Sequence, residues 1–296
     1  MSSAQDYFYS PYFEPLGKGE LRCTLCPRQC RIKPGDLGRC LVRRNVAGRL
    51  QSLVYGHPAA LQVDPIEKKP LHYWKPGSRT FSLGTFGCNM SCLYCQNEHL
   101  SRSGSQRQQE YSYLSPADIV RLAKLKNCAS IAFTYNEPTV FQEYALHIAK
   151  EAKKAGLGTV LVSNGWIMPE ARQELYEYID AANIDIKAFS EEFYRKLCGA
   201  SLADVLESCR HLRHVSKSHL EITNLVIPGY NDEPELIVKL LDWVGQELGK
   251  DTPLHFSAYY PAGGFEAPPT SPHTLRRIEN RAKERGFSRI SLGNLR

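Results

Sequence analysis

The stretch Gly87-Cys88-Asn89-Met90-Ser91-Cys92-Leu93-Tyr94-Cys95-Gln96-Asn97 is the most informative part of this 296-residue sequence. Its three cysteines are spaced C-x3-C-x2-C and follow a strand-like run at residues 80–83. Cysteine thiolates are the usual ligands of iron–sulfur clusters, and a four-iron cluster normally takes four of them. Three thiolates on one tight loop therefore predict a cluster whose fourth iron is open to a ligand from outside the protein.

Two other interpretations of this loop are a structural zinc site and three unrelated core thiols. Zinc takes four ligands, usually in two close pairs, whereas the loop offers three, with only His99 nearby. The spacing, together with Tyr94 directly before the third cysteine, resembles the signature of the radical S-adenosylmethionine (radical SAM) superfamily. In that family the amino and carboxylate groups of SAM chelate the open iron, and an electron from the cluster breaks the carbon–sulfur bond to adenosine. The cofactor carries the chemistry, and the protein positions it.

The composition is that of an ordinary globular protein, with 42% hydrophobic and 23% charged residues. The net charge of +6 is scattered over helical segments, so we expect solvated helix faces and no nucleic-acid partner. No apolar run reaches the roughly 18 residues of a membrane span, and residues 1–20 lack the pattern of a signal peptide. We therefore expect a cytoplasmic protein with no membrane partner. In a reducing compartment, ten cysteines indicate metal ligation rather than disulfides.

A second cysteine group precedes the loop and has the pattern Cys23-x2-Cys26-x3-Cys30-x9-Cys40. Four soft ligands among prolines and glycines suit either a tetrahedral zinc site or a second iron–sulfur cluster. Zinc is favoured, because closed four-cysteine sites are usually structural. A segment with so little apolar content needs such a metal to fold. We expect residues 1–70 to form this Cys-rich metal-binding module and a linker.

The three remaining thiols lie in apolar helical surroundings, and we expect them to be buried and inert. They are Cys128, Cys198 and Cys209.

From residue 79 onward, strand and helix patterns alternate, which predicts a parallel sheet with helices packed outside it. The expected strands are 80–84, 129–134, 158–163, 182–187, 219–227 and 253–259, with a short seventh at 286–293. The expected helices are 116–127, 139–155, 168–180, 190–213, 233–249 and 271–285. The predicted fold class is therefore α/β, a partial (β/α)6 radical SAM barrel over residues 71–296, preceded by the small N-terminal module. In such a barrel the active site lies at the C-terminal ends of the strands.

Polar residues occupy strand ends where packing would favour apolar ones. Strand four reads Asn183-Ile184-Asp185-Ile186-Lys187, and its period of two turns Asp185 and Lys187 into the barrel. Buried charges are costly unless they are paired or liganded, so these two residues either bind a ligand or pair with each other or with Glu137. His255 on strand six faces inward by the same alternation, as a functional residue or as an ordinary core histidine.

Together these motifs resemble the glycyl-radical-enzyme activase branch of the superfamily, which includes the pyruvate formate-lyase-activating enzymes. The resemblance is closer still to the radical SAM enzyme of the AmmeMemoRadiSam system. It runs from about Cys23 to the C-terminus. Besides the cysteine loop, the stretches that carry it are Asp64–Leu71, Tyr135–Pro138, Asp185–Lys187, Ile227–Asp232 and His255-Phe256.

The resemblance implies roles for individual residues. Cys88, Cys92 and Cys95 would hold the [4Fe–4S] cluster and be the catalytic residues. Glu137 would lie at the amino group of SAM, Asn164 near its ribose, and Lys187, steadied by Asp185, at its carboxylate. Tyr94 and His255 are the other expected cofactor-binding residues.

The favoured function is an activating-enzyme-like radical SAM enzyme of the oxidoreductase type. It would cleave SAM reductively and use the 5′-deoxyadenosyl radical to take hydrogen from a protein or small-molecule substrate. A strict glycyl-radical-enzyme activase is the narrower alternative. A non-catalytic iron–sulfur or zinc protein, acting as electron carrier or scaffold, is the alternative of another class. The expected partners are a reductant such as flavodoxin or ferredoxin, a protein substrate, and proteins of the AmmeMemoRadiSam system.

Overall fold

The computed structural model describes residues 8–103, 111–262 and 264–295. Residues 1–7, which belong to the expected N-terminal module, lie outside these ranges. The described strands are β1 (Phe8–Tyr9), β2 (Phe13–Gly17), β3 (Glu20–Cys23), β4 (Arg31–Ile32), β5 (Arg43–Val46), β6 (Arg49–Ser52), β7 (Ala60–Pro65), β8 (Arg79–Gly84), β9 (Ser130–Phe133), β10 (Gly158–Ser163), β11 (Ala181–Asp185), β12 (His219–Val226), β13 (Leu254–Ala258) and β14 (Ile290–Gly293).

One sheet of eight strands forms the body of the molecule, in the order β14-β13-β12-β11-β10-β9-β8-β7. From β8 to β14 each strand pairs in parallel with the next strand of the chain. The parallel strands are apolar on both faces: Leu161 packs in the main core, which also contains the buried residues of the helices, whereas the neighbouring Val160 packs on the opposite face with Leu71. The predicted α/β class with a partial parallel barrel is confirmed, including the short seventh strand near the C-terminus.

Helices connect the parallel strands and pack on the outside of the sheet. They are α1 (Glu98–Ser101), α2 (Pro116–Leu125), α3 (Gln142–Lys154), α4 (Pro169–Tyr176), α5 (Glu191–Phe193), α6 (Leu202–Arg210), α7 (Pro234–Glu247) and α8 (Pro272–Glu284). A capping box at Ser115 and Asp118 starts α2, as the serine–proline pair predicts. Within the described ranges, none of these helices has the length and apolar character needed to cross a bilayer.

The prediction of a single helix over 190–213 is wrong. The chain there forms α5, a π-helical turn at Tyr194–Cys198, then α6, and a second π-helical turn at His211–Val215. The break falls at Gly199, whose φ of +62° is a left-handed conformation that favours glycine. Helical periodicity on both sides of the glycine concealed the break in the sequence.

The N-terminal region forms two small antiparallel sheets, with strand orders β2-β3-β4 and β1-β6-β5. Strand β7 follows them and pairs antiparallel with β8 at the edge of the large sheet. The sequence pattern did not predict β7, which falls within residues 1–70. The boundary at residue 70 stays a prediction.

A buried ion pair joins the N-terminal region to the barrel. The guanidinium of Arg43 donates to both carboxylate oxygens of Glu143 on α3, each at 2.6 Å, and also to the carbonyl of Val140. The two side chains are 1% and 4% exposed. A bidentate pair in such a dry place is geometrically specific, so it fixes how the N-terminal region lies against the barrel.

Candidate functional site

A cavity of about 540 Å³ opens at the carboxyl ends of the parallel strands. It is lined by the three cysteines of the loop after β8 and by polar residues at the ends of β9, β10 and β11. The residues in its wall include Cys88, Cys92, Tyr94, Cys95, Glu137, Asn164, Asp185 and Lys187. All the residues predicted for the cluster and the cofactor therefore meet here, except His255.

The cysteine loop is anchored at its start by Asn136, which is 6% exposed. The side-chain carbonyl of Asn136 accepts a hydrogen bond from the N–H of Thr85 at 2.8 Å. Its amide group donates to the carbonyls of Phe86 and Gly87 at 3.0 and 2.9 Å. These bonds fix the backbone just before Cys88 and so determine where the first thiol lies.

The middle of the cysteine loop is anchored by the segment that leads into Gly199. The N–H of Ser91 donates to the carbonyl of Cys198 at 2.8 Å, and the N–H of Leu93 to that of Leu197 at 3.0 Å. A Cβ at Gly199 would lie 2.5 Å from the Ser91 hydroxyl oxygen. A side chain at position 199 would therefore crowd Ser91, and glycine permits the close approach of the loop.

The three loop thiols differ in their surroundings. Burial raises the pKa of Cys88 well above its usual range, whereas a hydrogen bond with Cys198 lowers the pKa of Cys92 to about 7. Three soft donors facing an open cavity fit an iron–sulfur cluster with one free position. Among the described residues, no group of three or more His, Cys, Asp or Glu side chains is preformed as a metal site. Metal binding at either cysteine group would therefore move thiols into place.

Glu137 follows β9 and is 3% exposed. Its Oε1 accepts hydrogen bonds from the N–H and hydroxyl of Thr139 at 2.9 and 2.7 Å and from the Ser163 hydroxyl at 2.8 Å. Its Oε2 accepts from the N–H of Asn164 at 2.8 Å. Burial nevertheless raises the pKa of Glu137 above its usual value. A cationic ligand group beside Oε2 would favour the ionised form.

Lys187 and Asp185 lie at the end of β11, with 2.6 Å between Nζ and Oδ2. Burial lowers the pKa of Lys187, but the Asp185 carboxylate outweighs that effect and raises the pKa above its usual value. The backbone N–H of Lys187 donates to the Tyr194 hydroxyl at 2.9 Å, and its backbone carbonyl accepts from the side-chain amide of Asn231 at 2.6 Å. Lys187 is thus held as a cation at the cavity wall. The sequence left Asp185 and Glu137 open as its ion-pair partners, and in the structure Lys187 pairs with Asp185.

Asn164 fastens the cysteine loop to the end of β10. Its Nδ2 donates to Oδ1 of Asn89 at 2.9 Å, and its Oδ1 accepts from the N–H of Trp166 at 2.9 Å. The amide is thereby oriented with one edge toward the loop. Its predicted place near the ribose of SAM stays a prediction.

Tyr94 packs within the cavity wall and is 2% exposed. Its hydroxyl lies 3.2 Å from the sulfur of Cys198. Its ring centre lies 5.8 Å from those of Phe193 and Phe265. Cys198, Cys128 and Cys209 are all buried, as predicted.

His255 lies deeper in the barrel and is not among the residues that line the cavity. Its Nε2 is 2.6 Å from Glu221, a fully buried carboxylate that also accepts hydrogen bonds from the N–H groups of His72 and Tyr73. Burial raises the pKa of Glu221, but hydrogen bonds from His219 and His255 outweigh it and bring the pKa to about 2. His255 and the backbone of His72 and Tyr73 thus share the Glu221 carboxylate, and contact of His255 with the cofactor stays a prediction.

The cavity wall also contains a buried lysine, Lys69, that was not predicted from the sequence. The Lys69 ammonium is 2.7 Å from Oδ2 of Asp64 and 4.5 Å from the centre of the Tyr135 ring. The Tyr135 hydroxyl donates to the same carboxylate at 2.7 Å. The signal was present, because the family resemblance includes the stretches that contain all three residues. Nothing in either stretch shows that they meet.

The four cysteines of the N-terminal region line a second, smaller cavity of about 20 Å³: Cys23, Cys26, Cys30 and Cys40. A void of this size holds about one water-sized atom. Burial raises the pKa of Cys23 to about 12. Arg28 and Asn89 line the same cavity, so the four thiols lie against the back of the cysteine loop.

Comparison with known proteins places this geometry in context. The family model for the radical SAM superfamily matches residues 82–241, more than half of the chain. Uncharacterized protein MJ0808 of Methanocaldococcus jannaschii is 39% identical over 285 residues, which cover 96% of this chain and 84% of that protein. The pyruvate formate-lyase 1-activating enzyme of Escherichia coli is 24% identical over 181 residues, which cover 60% of this chain and 72% of that enzyme.

Among solved structures, Streptococcus suis SuiB bound to S-adenosylmethionine matches with a TM-score of 0.54. The sequence identity is 14%, and the match covers 72% of this chain and 49% of that one. At this identity the likeness concerns the fold alone. The family match, by contrast, includes the cysteine loop and the ends of β9, β10 and β11.

Proposed function

Because the chain belongs to the radical SAM superfamily, we propose that Cys88, Cys92 and Cys95 bind a [4Fe–4S] cluster and that the protein cleaves S-adenosylmethionine reductively. The bound cofactors supply a 5′-deoxyadenosyl radical that takes a hydrogen atom from a protein or small-molecule substrate. The observation that supports this proposal most is one cavity in which the three thiols face a buried carboxylate, Glu137, and a held ammonium, Lys187.

Glu137 and Lys187 match the two charged ends of the amino-acid part of SAM. The Lys187 ammonium has three donors and uses one on Asp185, so two remain for a carboxylate. Oε2 of Glu137 accepts one hydrogen bond from Asn164 and can accept another from an ammonium. Asp185 orients the lysine. Asn164 and Tyr94, in the same wall, complete the proposed cofactor contacts.

The direct test is the formation of 5′-deoxyadenosine. Protein reconstituted with iron and sulfide without oxygen, reduced and mixed with SAM, is expected to release this product in multiple turnovers or at least stoichiometrically. Omitting either the reductant or SAM should abolish it. A protein that holds a complete cluster but forms no 5′-deoxyadenosine would instead be a non-catalytic electron carrier or scaffold.

A strict glycyl-radical-enzyme activase is the second candidate, supported by the similarity to the Escherichia coli activating enzyme. Such an activase would generate a glycine-centred radical on a partner protein, detectable by electron paramagnetic resonance (EPR). Tyr135 and Asn136 stand where activases usually carry two glycines, so the wider proposal is preferred. Candidate substrates would be labelled with deuterium one at a time. The substrate whose label appears on the 5′ carbon of 5′-deoxyadenosine is the molecule that gave up hydrogen.

The proposal also requires an electron donor. We propose flavodoxin or ferredoxin in that role, with a protein substrate or proteins of the AmmeMemoRadiSam system as further partners. We also infer a cytoplasmic location, supported by the free state of the ten cysteines, since a reducing compartment keeps thiols available for metals.

The four-cysteine group is proposed as a second metal site, with zinc preferred over an iron–sulfur cluster. The small size of the four-cysteine cavity supports a single ion, and four cysteines are a usual ligand set of structural zinc. Metal analysis of a Cys88/Cys92/Cys95 triple alanine variant is expected to find about one zinc per chain and little iron. About four irons per chain instead would contradict the zinc assignment and favour a second cluster.

A further inference from the structure

The four-cysteine group and the cysteine loop are in direct contact. A Cβ placed on Gly87, the residue before Cys88, would lie 2.4 Å from the carbonyl oxygen of Cys40. Asn89, the residue after Cys88, lines the four-thiol cavity. The first cluster thiol is therefore flanked on both sides by residues that touch the N-terminal region.

Arg28 makes the polar part of this contact. It lies between Cys26 and Cys30, on the turn closed by the hydrogen bond from the Gln29 N–H to the Cys26 carbonyl. Its Nε donates to the carbonyl of Asn89 at 3.0 Å, and its Nη2 donates to the carbonyl of Gly199 at 2.5 Å.

The two carbonyls belong to the two segments that the loop hydrogen bonds hold together. Asn89 is in the cysteine loop, and Gly199 ends the segment whose carbonyls accept from Ser91 and Leu93. The guanidinium also lies 5.1 Å from the centre of the Trp166 ring, at the end of β10. A single side chain thus spans the loop, the helix break and the strand end.

From Arg28 a series of hydrogen bonds leads to the cofactor side of the cavity. Asn89 accepts from the Asn164 amide at 2.9 Å through its Oδ1, and its own Nδ2 donates to the carbonyl of Trp166 at 2.6 Å. The backbone N–H of Asn164 donates to Glu137. A shift of Asn89 would therefore displace both Cys88, its neighbour in sequence, and the residue that orients Glu137.

We propose that Arg28 is a positioning residue for the cluster loop. The expected effect of Arg28 on SAM cleavage rests on the proposed function, whereas its expected effect on the order of the cysteine loop does not. The N-terminal region is thus a brace for the cysteine loop. An arginine suits this role because its planar group donates in two directions at once.

The test compares Arg28→Met with Arg31→Met. Methionine keeps much of the aliphatic stem while removing every donor. Arg31 is the matched control, since it lies in the same module but is 70% exposed and pairs with Glu20 at the surface. In the cluster-free protein, amide hydrogen exchange at Ser91 and Leu93 is expected to become at least about tenfold faster for Arg28→Met and to stay unchanged for Arg31→Met.

The same variants are then reconstituted with iron and sulfide. For Arg28→Met we expect a ten- to hundredfold slower SAM cleavage, on the order of the loss from a small misplacement of reacting groups. We also expect that adding SAM changes the EPR spectrum of the reduced cluster differently in Arg28→Met than in the parent. If the methionine variant does not fold, Arg28→Lys replaces it, because lysine keeps the charge but cannot span both carbonyls. The loop exchange rate and the SAM cleavage rate of Arg28→Lys should then lie between those of the parent and those expected for Arg28→Met.

Loop exchange equal to that of the Arg31 control overturns the proposal, and so does faster exchange with an unchanged EPR spectrum and rate. Parent-like behaviour of Arg28→Lys, where it is the variant used, also overturns it. If the parent itself cleaves no SAM, the proposed function fails, and the exchange measurement alone still decides whether Arg28 holds the loop.

Discussion

Replacing Cys88, Cys92 and Cys95 together by alanine is expected to reduce SAM cleavage below detection, the largest effect that any change in this chain should have. The three thiols are the proposed ligands of the cluster that supplies the electron, and thiolates hold such clusters. Their removal leaves Glu137 and Lys187 in the cavity but nothing to reduce SAM. The measurement is 5′-deoxyadenosine formation, together with iron content and the visible absorption of the reconstituted protein.

The matched control is a Cys128→Ala/Cys209→Ala double variant. Both thiols are buried outside the cavity, so this variant removes cysteine without touching the loop. It should keep the cluster and cleave SAM at the parental rate. Cleavage by the triple variant at that rate would mean that the loop thiols do not hold the reacting cluster, and the central proposal would be lost.

The barrel could be predicted from the sequence because its signals are local. Each parallel strand is a short apolar run followed by a helix with its own periodicity, as in Gly158–Ser163 before Pro169–Tyr176. The period of two in β11 also predicted correctly that Asp185 and Lys187 share one side of the strand and reach the same cavity. The spacing of the three cysteines, with Tyr94 directly before the third, was enough to single out the cysteine loop in the sequence.

What the sequence could not give depends on contacts between distant segments. Gly199 interrupts a helical pattern in a left-handed conformation, and it does so beside Ser91, which lies more than a hundred residues earlier in the chain. The contact of Arg28 with Asn89 in the cysteine loop likewise joins segments that are far apart in the chain. His255 shows the reverse case, in which the strand period placed the side chain inside the barrel but not at its cofactor end. Depth follows from the position along the strand: Ser257, two residues further along β13, lines the cavity, whereas His255 does not.

Lys187→Met is expected to weaken SAM binding by about thirtyfold to several thousandfold, corresponding to the loss of about 2–5 kcal/mol when one partner of a buried charged contact is removed. The backbone of Lys187 is held on both sides, by Tyr194 and Asn231, so we expect its position to survive loss of the ion pair with Asp185. Methionine keeps most of the side-chain volume while deleting the charge, so the fold and the cluster should persist. SAM affinity by equilibrium binding, with iron content measured on the same samples, provides the check.

Lys153→Met is the matched control for this experiment, because Lys153 also pairs with an aspartate, Asp180, but does so on the outer surface, where its side chain is 36% exposed. An exposed ion pair contributes little to stability, so this variant should bind and cleave SAM like the parent. The competing interpretation is that Lys187 and Asp185 only neutralise each other. On that interpretation, Lys187→Met would leave Asp185 without its partner and lower the melting temperature, while SAM affinity stayed at the parental value. Loss of affinity at a preserved melting temperature and iron content therefore assigns the ammonium to the cofactor, and the opposite pattern assigns it to the fold.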